Sequence, residues 1–186
     1  MKTNLKEIKF KRILVIGCPG SGKSTFSKKL GAVLGLNVVH LDKYFWKAGW
    51  VMTSKDEWSK IVLELISKDS WIIDGNYSSM LKQRTDRSDL IIFFDLATYL
   101  CLFRIFKRII KSKLHIEKRD DINENCPEKW FDKEFVKYVL KFNKNIRHLN
   151  YEILNEQKSK NKTILIFKNP GQSKKYLSDI NKRNEN

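Results

Sequence analysis

The stretch "VIGCPGSGKST", residues 15–25, decides the fold of this chain. It matches the pattern G-x-x-x-x-G-K-[ST], and it lies between a short apolar run and a segment with helical spacing, as that pattern requires. Its glycines allow backbone angles that other residues avoid, so successive N–H groups can turn onto one anion. The stretch therefore predicts a loop that holds the phosphates of a nucleotide at the start of a helix.

Each residue of this loop has an expected part in binding ATP and Mg²⁺. Lys23 is predicted to reach the β- and γ-phosphates, and the Ser24 hydroxyl is predicted to ligate Mg²⁺. The positive N-terminal end of the following helix adds to the attraction for phosphate. The predicted ATP-binding residues are Gly17, Pro19, Gly20, Ser21, Gly22, Lys23, Ser24 and Thr25.

Short apolar runs alternate with helical patterns along the chain. The apolar runs predict strands at 11–17, 36–42, 70–75, 89–96 and 162–168. The apolar spacing predicts helices at 24–34, 53–66, 80–84, 98–113, 130–157 with a break near 143–145, and 173–180, followed by a frayed tail at about 181–186. Gly35 is placed to end the first helix, and Ser54 with Glu57 forms a capping box at the start of the second.

This alternation predicts an α/β protein, with a five-stranded parallel sheet and helices on both of its faces. With the phosphate loop it predicts the three-layer fold of P-loop nucleotide-binding proteins, as one domain over residues 1–186. Ligands of such sheets collect beyond the carboxyl ends of the strands. Gly17, Asp42, Asp74 and Asp95 fall at the ends of predicted strands, so we expect them along one rim.

The three aspartates on this rim have different expected roles. Asp74, in "WIIDGNY", is a candidate to orient Mg²⁺ through water, and the alternative is a turn residue in "DG". Asp42, in "HLDKYFW", is a candidate to accept the proton of an attacking hydroxyl or to bind a polar group of an acceptor. The alternative for Asp42 is a cap or a solvated loop residue. Asp95 is predicted to be structural.

Basic residues cluster after the fourth predicted strand. They are Arg104, Lys107, Arg108, Lys111, Lys113, Lys118 and Arg119. Phosphoryl transfer needs cations around the migrating group, and the planar fork of arginine suits phosphate oxygens better than lysine does. Arg104, Arg108 and Arg119 are therefore the catalytic candidates, with Arg104 and Arg108 on one helix face. The alternative is a solvated basic face.

Aromatic residues follow Asp42. They are Tyr44, Phe45, Trp46, Trp50 and Trp58. Their rings either wall an acceptor pocket by stacking on a planar or apolar group, or form the hydrophobic base of the following helix. The three histidines, His40, His115 and His148, have no metal-binding spacing. The three cysteines, Cys18, Cys101 and Cys126, have neither a C-x-x-C spacing nor an even number, which predicts reduced thiols.

Charge and composition limit the kinds of partner that the protein can have. The formal net charge is +16, which makes DNA a possible partner, but the excess is mostly lysine spread along the chain. No helix-turn-helix, zinc or RNA-binding signature is visible. The apolar stretch at 100–110 is interrupted by Arg104, Lys107 and Arg108, and the basic N-terminus lacks the features of a signal peptide. We therefore expect a cytoplasmic monomer or homodimer without membrane contact, whose partners are ATP and a small-molecule acceptor.

These motifs resemble a known group of proteins. "GCPGSGKST", "LD" after the second strand, "WIIDGNY" after the third and an arginine-bearing segment after the fourth resemble the small P-loop kinases related to adenylate kinase and shikimate kinase. The chain to about Leu177 is more closely similar to the bacterial proteins labelled "DNA topology modulation protein", a family of small kinase-like P-loop proteins. "HLDKYFWKAGW" and "WIIDGNY" carry this narrower resemblance.

The resemblance implies an ATP- and Mg²⁺-dependent kinase with an acceptor region after Asp42 and an arginine-bearing lid at about 114–128. Nucleoside-monophosphate kinases usually continue the third-strand "DG" with an aromatic residue, proline and arginine, whereas Asn76, Tyr77 and Ser78 stand here. This departure weighs against a nucleoside monophosphate as the acceptor, and the sequence leaves the acceptor open. The alternatives are a nucleotide-regulated DNA-binding protein that affects DNA topology and a slow NTPase.

Overall fold

Five parallel strands form the main sheet. A computed structural model describes residues 10–114, 116, 119–126 and 132–184. The strands of the sheet are β1 (Arg12–Gly17), β2 (Val38–His40), β5 (Trp71–Asp74), β6 (Leu90–Phe94) and β7 (Thr163–Phe167). Their order across the sheet is β2-β5-β1-β6-β7, so the strand that leads into the phosphate loop is central. The predicted five-stranded parallel sheet is confirmed.

Helices cover both faces of this sheet. They are α1 (Lys23–Leu34), α2 (Leu41–Phe45), α3 (Lys55–Ser67), α4 (Leu81–Arg87), α5 (Thr98–Lys113), α6 (Lys133–Asn145), α7 (Arg147–Ser159) and α8 (Pro170–Asn184). Side chains alternate along β1: Ile13 and Val15 face a core that α1, α5, α6 and α8 complete. Leu14 and Ile16 face a second core, completed by α3, α4 and α7. The central strand is therefore buried on both faces, as its unbroken apolar run indicates.

The predicted helix ends are present where local chemistry sets them. Gly35 adopts the left-handed conformation, φ +65°, and ends α1. The Ser54 hydroxyl accepts a hydrogen bond from the Glu57 backbone N–H at 3.4 Å and caps α3. The Glu57 carboxylate pairs with Lys47 at 2.7 Å. The cap is therefore formed, and the glutamate side chain holds a neighbouring segment.

The second predicted strand is shorter than the sequence indicates. It ends at His40, so Asp42 lies in the first turn of α2 and not at a strand end. The reason is that His40 pairs with Asp74, the last residue of β5, and no further ladder partner follows. Leu41 then turns inward against Gly75, where an added Cβ would lie 2.8 Å from the Leu41 Cβ.

The last helix is longer than predicted. It spans Pro170–Asn184, so residues 181–184 are helical and not frayed, and residues 185–186 lie outside the described residues. The helix begins with a cap in which the Asn169 side chain accepts a hydrogen bond from the Gln172 N–H at 3.1 Å. Tyr176, Leu177 and Ile180 pack against the core and hold the helix on the sheet.

A small hairpin inserted after α2 was not predicted. Its strands are β3 (Trp46–Lys47) and β4 (Val51–Met52), joined by a 3₁₀ turn at Ala48–Trp50. The Thr53 hydroxyl and N–H bind the Phe45 carbonyl at 2.9 and 2.8 Å and close the base of the hairpin.

Among the helices of the described part of the chain, none has the length and apolar character needed to cross a membrane.

Candidate active site

A cavity of about 1400 Å³ opens beyond the carboxyl ends of the central strands. Its lining includes the phosphate loop, Asp42, Asp74 and the three arginines singled out from the sequence. The volume exceeds the roughly 300–1,000 Å³ of a site for one small molecule. The cavity can therefore hold a nucleotide and a second small molecule side by side.

The phosphate loop has the geometry of an anion cradle. Gly20 and Gly22 have φ of +77° and +94°, and α1 begins directly after Gly22 at Lys23. The Lys23 ammonium donates to the Cys18 carbonyl at 2.9 Å and so lies over the loop. The buried Ser21 hydroxyl has no hydrogen-bond partner within the described residues. These features fit a polyphosphate, which supplies acceptors for the loop donors.

Gly20 supports a prediction because the loop packs tightly on α5 at this point. A Cβ at Gly20 would lie 2.5 Å from the Cys101 carbonyl oxygen and 2.8 Å from Ile105 Cγ1. Gly20→Ala should therefore displace the loop, lower the free energy of unfolding by about 1–3 kcal/mol and weaken ATP binding. Gly35→Ala is the matched control, since Gly35 also has a positive φ but no atom within 4 Å. Denaturant melts and ATP titrations measure both effects, and equal ATP affinity of the two variants would contradict the prediction.

Asp74 is held by His40, for which the sequence predicts no role. His40 Nδ1 and Asp74 Oδ2 are 2.7 Å apart, and both side chains are buried. The pair forms because β2 and β5 are neighbours and place these residues at the same register. The two residues are 34 positions apart, so only the strand order brings them together. One oxygen of Asp74 is thus engaged in a hydrogen bond at the edge of the cavity.

The residues around Ser24 fit a magnesium ion that is partly held by phosphate. Asp121 lies near the Ser24 hydroxyl, which favours its ionised form, and it accepts a hydrogen bond from Arg119 at 2.7 Å. Burial opposes ionisation of Asp121, but the hydrogen bond and charge of Arg119, with Ser24 nearby, lower the pKa of its carboxyl below the usual range. Within the described ranges, no group of three or more His, Cys, Asp or Glu side chains can hold a metal. Mg²⁺ suits such a site, because it is commonly bound by one or two carboxylates, waters and substrate phosphates.

Asp42 also lines the cavity, in contact with groups from two other segments. Its carboxylate accepts a hydrogen bond from the Tyr77 hydroxyl at 2.6 Å and lies 3.7 Å from the Arg119 guanidinium. Protein surrounds Asp42 on most sides although 41% of its side chain faces the cavity, and this burial raises the pKa of its carboxyl. Burial also raises the pKa of Tyr77, so the phenol stays the donor. The arrangement aims a carboxylate oxygen at the cavity.

A buried arginine shapes the segment that carries Tyr77. Arg84 is fully buried, and its guanidinium donates to the Gly75 carbonyl at 3.0 Å and to the Tyr77 carbonyl. Burial lowers the pKa of this guanidinium. The side-chain oxygen Oδ1 of Asn76 accepts a hydrogen bond from the Gly17 N–H at 3.3 Å, which joins the same segment to the start of the phosphate loop. The loop after β5 therefore fixes Tyr77, and through it Asp42, relative to the phosphate site.

The arginine cluster converges on the cavity from a helix and from the segment that follows it. Arg104 donates to the Ser21 carbonyl at 2.9 Å and so braces the phosphate loop. Arg108 lies one turn further along α5, also on the cavity, and its charge is felt by Asp121. Lys107 and Lys111 join the lining, whereas Lys113 does not, and Lys118 lies outside the described residues.

The segment predicted as a lid is described at 114, 116 and 119–126. Its described part contacts both walls of the cavity. Asp120 pairs with Lys28 of α1, and the Asn125 carbonyl accepts from the Gly49 N–H at 2.9 Å. The Cys126 thiol donates to the Lys47 carbonyl at 3.2 Å. These contacts bridge the phosphate side and the hairpin, so the segment roofs the cavity; His115 and residues 127–128 lie outside the described residues.

The aromatic residues divide between the two expected roles. Phe45, Trp46 and Trp50 line the cavity. Trp58 is buried in the base of α3, where its indole N–H donates to Ser79 at 3.1 Å. Tyr44 is exposed on the surface.

Three further predictions concern residues that do not line the large cavity. Asp95 is structural, since Arg147 and the Tyr151 hydroxyl bind its carboxylate at 2.6 and 2.7 Å away from the large cavity. His148 is on α7, 3.5 Å from Glu152. The three cysteines are free thiols, as expected, and all are buried.

Comparison with solved structures identifies the fold. Shikimate kinase from Bacteroides thetaiotaomicron matches with a TM-score of 0.55 and 15% identity, over 95% of this chain and 99% of that chain. Shikimate kinase from Acinetobacter baumannii in complex with shikimate matches with a TM-score of 0.55 and 17% identity, over 91% and 90%. No protein-family model and no curated protein sequence matches the chain. At these identities the similarity establishes a shared fold.

Proposed function

We propose that the protein is an ATP- and Mg²⁺-dependent phosphotransferase that acts on a small acceptor. One observation carries the proposal: a single cavity is lined both by an intact phosphate loop and by the carboxylate of Asp42, which interacts electrostatically with Lys23 of that loop. The fold shared with shikimate kinases supports it. We also propose one domain with a lid at about 114–128, and membership of the bacterial "DNA topology modulation protein" family, on the strength of the motifs after β2 and β5.

The residues have separate parts in this reaction. The loop and Lys23 hold the phosphates of ATP, and Ser24 and Asp74, with Asp121, form the metal-binding edge. Mg²⁺ bound there would neutralise charge on the phosphate oxygens. Asp42 accepts the proton of the acceptor hydroxyl as the new O–P bond forms and the bond to the ADP oxygen breaks.

The arginines supply the remaining positive charge. Arg104 lies against the loop through Ser21, and Arg119 lies between Asp42 and Asp121, where the migrating phosphoryl group would pass. Cations placed in advance at such a point stabilise the transition state without reorganisation. The roof formed by 119–126 excludes water, which would otherwise compete as acceptor. The comparisons give no support to DNA binding or to hydrolysis alone as the function.

Lys23→Ala tests the nucleotide site. In ATP with Mg²⁺ at about 100 times Kd, mass action adds about 2.7 kcal/mol to the stability of the wild type. For a domain of this size that is a rise in Tm of roughly 5–10 °C. Lys23→Ala should lose most of this rise and keep the Tm of the ligand-free protein, as measured by thermal melts. A variant that is stabilised by ATP as strongly as the wild type would refute the assignment of the loop.

A screen tests the transfer reaction itself. ATP consumption and product mass are measured with nucleosides, nucleoside monophosphates, sugars, sugar acids and hydroxy acids, each with and without Mg²⁺. We expect Mg²⁺-dependent formation of one phosphorylated product, absent in Lys23→Ala. Phosphate release that is unchanged by every acceptor would make the protein an NTPase.

A further inference from the structure

The acceptor end of the cavity is walled by aromatic rings. Phe45 lies 5.0 Å from Trp46 and 4.5 Å from Tyr77, measured between ring centroids, and Trp46 lies 5.5 Å from Trp50. These rings pack on one another and also line the cavity, so their positions are fixed before a ligand arrives. A wall of this kind offers dispersion and stacking to a flat apolar face.

The charges beside this wall are already balanced within the protein. The Arg119 guanidinium binds Asp121 at 2.7 Å and lies 3.7 Å from Asp42, and only 15% of the Arg119 side chain is exposed. Asp42 has the Tyr77 hydroxyl as a second partner at 2.6 Å. A ligand bound against this wall therefore lies beside the Arg119 guanidinium, which two carboxylates already hold. It also lies beside the Asp42 carboxylate, which already has Arg119 and the Tyr77 hydroxyl as partners.

Three described cations near the loop are also engaged with protein groups. Lys28 pairs with Asp120, Lys23 donates to the Cys18 carbonyl, and Arg104 donates to the Ser21 carbonyl. An acidic acceptor would have to draw Arg119 away from carboxylates that already bind it. A cationic acceptor would face the guanidinium of Arg119. Either exchange leaves a poorly solvated charge without its partner, which is costly.

We propose that the acceptor is an uncharged ring that carries hydroxyl groups, of the kind found in a pyranose sugar or a nucleoside. Its apolar face lies on Trp46 and Trp50, and one hydroxyl donates to Asp42. This proposal deepens the phosphotransferase function, since that hydroxyl is the group that would receive phosphate. The hydrogen bond from the Gly49 N–H to the Asn125 carbonyl, at 2.9 Å, holds the hairpin that carries Trp46 and Trp50 against the segment 119–126.

Binding measurements with matched probes test the charge of the acceptor. The full chain, saturated with Mg–ADP, is titrated with glucose, glucuronate and glucosamine, and with adenosine and AMP, and tryptophan fluorescence is recorded. Trp46 and Trp50 line the compartment and report occupancy. We expect the uncharged member of at least one set to bind at least tenfold more tightly than its charged analogues. Tighter or equal binding of the charged analogues, or no saturable binding of any probe, overturns the proposal.

Variants test whether the wall and the charge balance set this preference. Trp46→Leu should weaken binding of the uncharged probe about tenfold. Tyr99→Leu is its control and should not, because Tyr99 is 77% exposed on α5 outside the cavity lining. Asp42→Asn removes one carboxylate from Arg119, so the preference for glucose over glucuronate should fall or reverse. An unchanged preference in Asp42→Asn would show that the charge balance does not select the ligand.

The outcome separates this inference from the proposed function. If a charged acceptor is phosphorylated by ATP, the phosphotransferase function stands and the inference fails. If an uncharged probe binds beside Mg–ADP but consumes no ATP, the binding inference stands and the phosphotransferase function fails.

Discussion

Turnover of the Asp42→Asn variant is expected to fall by roughly 10²–10⁴-fold, the usual contribution of a general base. Asparagine keeps the size of the side chain and can still accept the hydrogen bond that Tyr77 donates at 2.6 Å. It cannot take up the proton of an acceptor hydroxyl. Because the loop and Lys23 carry ATP binding, the affinity for ATP should change little.

Steady-state kinetics with the acceptor found in the screen measure this loss, and equilibrium titration measures ATP affinity. Asp95→Asn is the control, since Asp95 is also a carboxylate next to the sheet but is bound by Arg147 away from the large cavity. Its turnover should stay within about twofold of the wild type. If Asp42→Asn turned over as fast as Asp95→Asn, Asp42 would have no part in the chemistry.

The pH dependence of turnover is a second, independent test of Asp42 as the general base. Burial raises the pKa of its carboxyl, so the carboxylate is lost on acidification at a pH above the ordinary value of about 3.9. Turnover should therefore rise with pH through this raised pKa, because only the deprotonated form accepts a proton. The acidic limb should be absent from the residual activity of Asp42→Asn. A limb that persists unchanged in the variant would assign it to another group.

The elements that the sequence predicts correctly are those set by local chemistry. The apolar run before Gly17 is buried on both faces of the sheet, Gly35 ends α1, and α5 spans Thr98–Lys113 as expected. Each depends on neighbours within about a dozen residues, such as a cap or a run of apolar side chains. The loop that follows the first strand is of the same kind, since its glycines and Lys23 are contiguous.

The features that the sequence misses depend on contacts between distant segments. His40 meets Asp74 only because β2 and β5 are adjacent, and Ser24 meets Asp121 only because the segment after α5 folds back over the loop. One signal was present: His40 and Asp74 each stand at the end of an apolar run, so a correct strand order would have paired them.

The hairpin after α2 escaped prediction for a different reason. Each of its strands has two residues, which is too short for an alternating pattern to be recognised. Its stability comes from contacts outside it, including Lys47 with Glu57 and Gly49 with Asn125. The same contacts place Trp46 and Trp50 on the cavity, so the unpredicted element forms the wall of the proposed acceptor compartment.

The second large expected effect is the loss of kcat when the arginines of the cavity are replaced. Arg119→Ala is expected to lower kcat by about 10²–10³-fold, as removal of a comparable transition-state donor does. Arg119 pairs with Asp42 and Asp121, whereas Lys23 and the loop carry ATP binding, so ATP affinity should change much less than kcat. Arg108→Ala should lower kcat in the same way. Arg147→Ala is the matched control, because Arg147 binds Asp95 outside the large cavity.

Arg104→Ala should behave differently from these two variants, because Arg104 holds the Ser21 carbonyl of the loop at 2.9 Å. The substitution removes a positive charge and also removes the hydrogen bond that holds the loop. The Kd for ATP should therefore rise together with the fall in kcat. Single-turnover rates and ATP titrations separate the two effects. If all three arginine variants kept the wild-type kcat, these residues would form only a solvated basic face, and the positive charge for transfer would have to come from Lys23 and the metal alone.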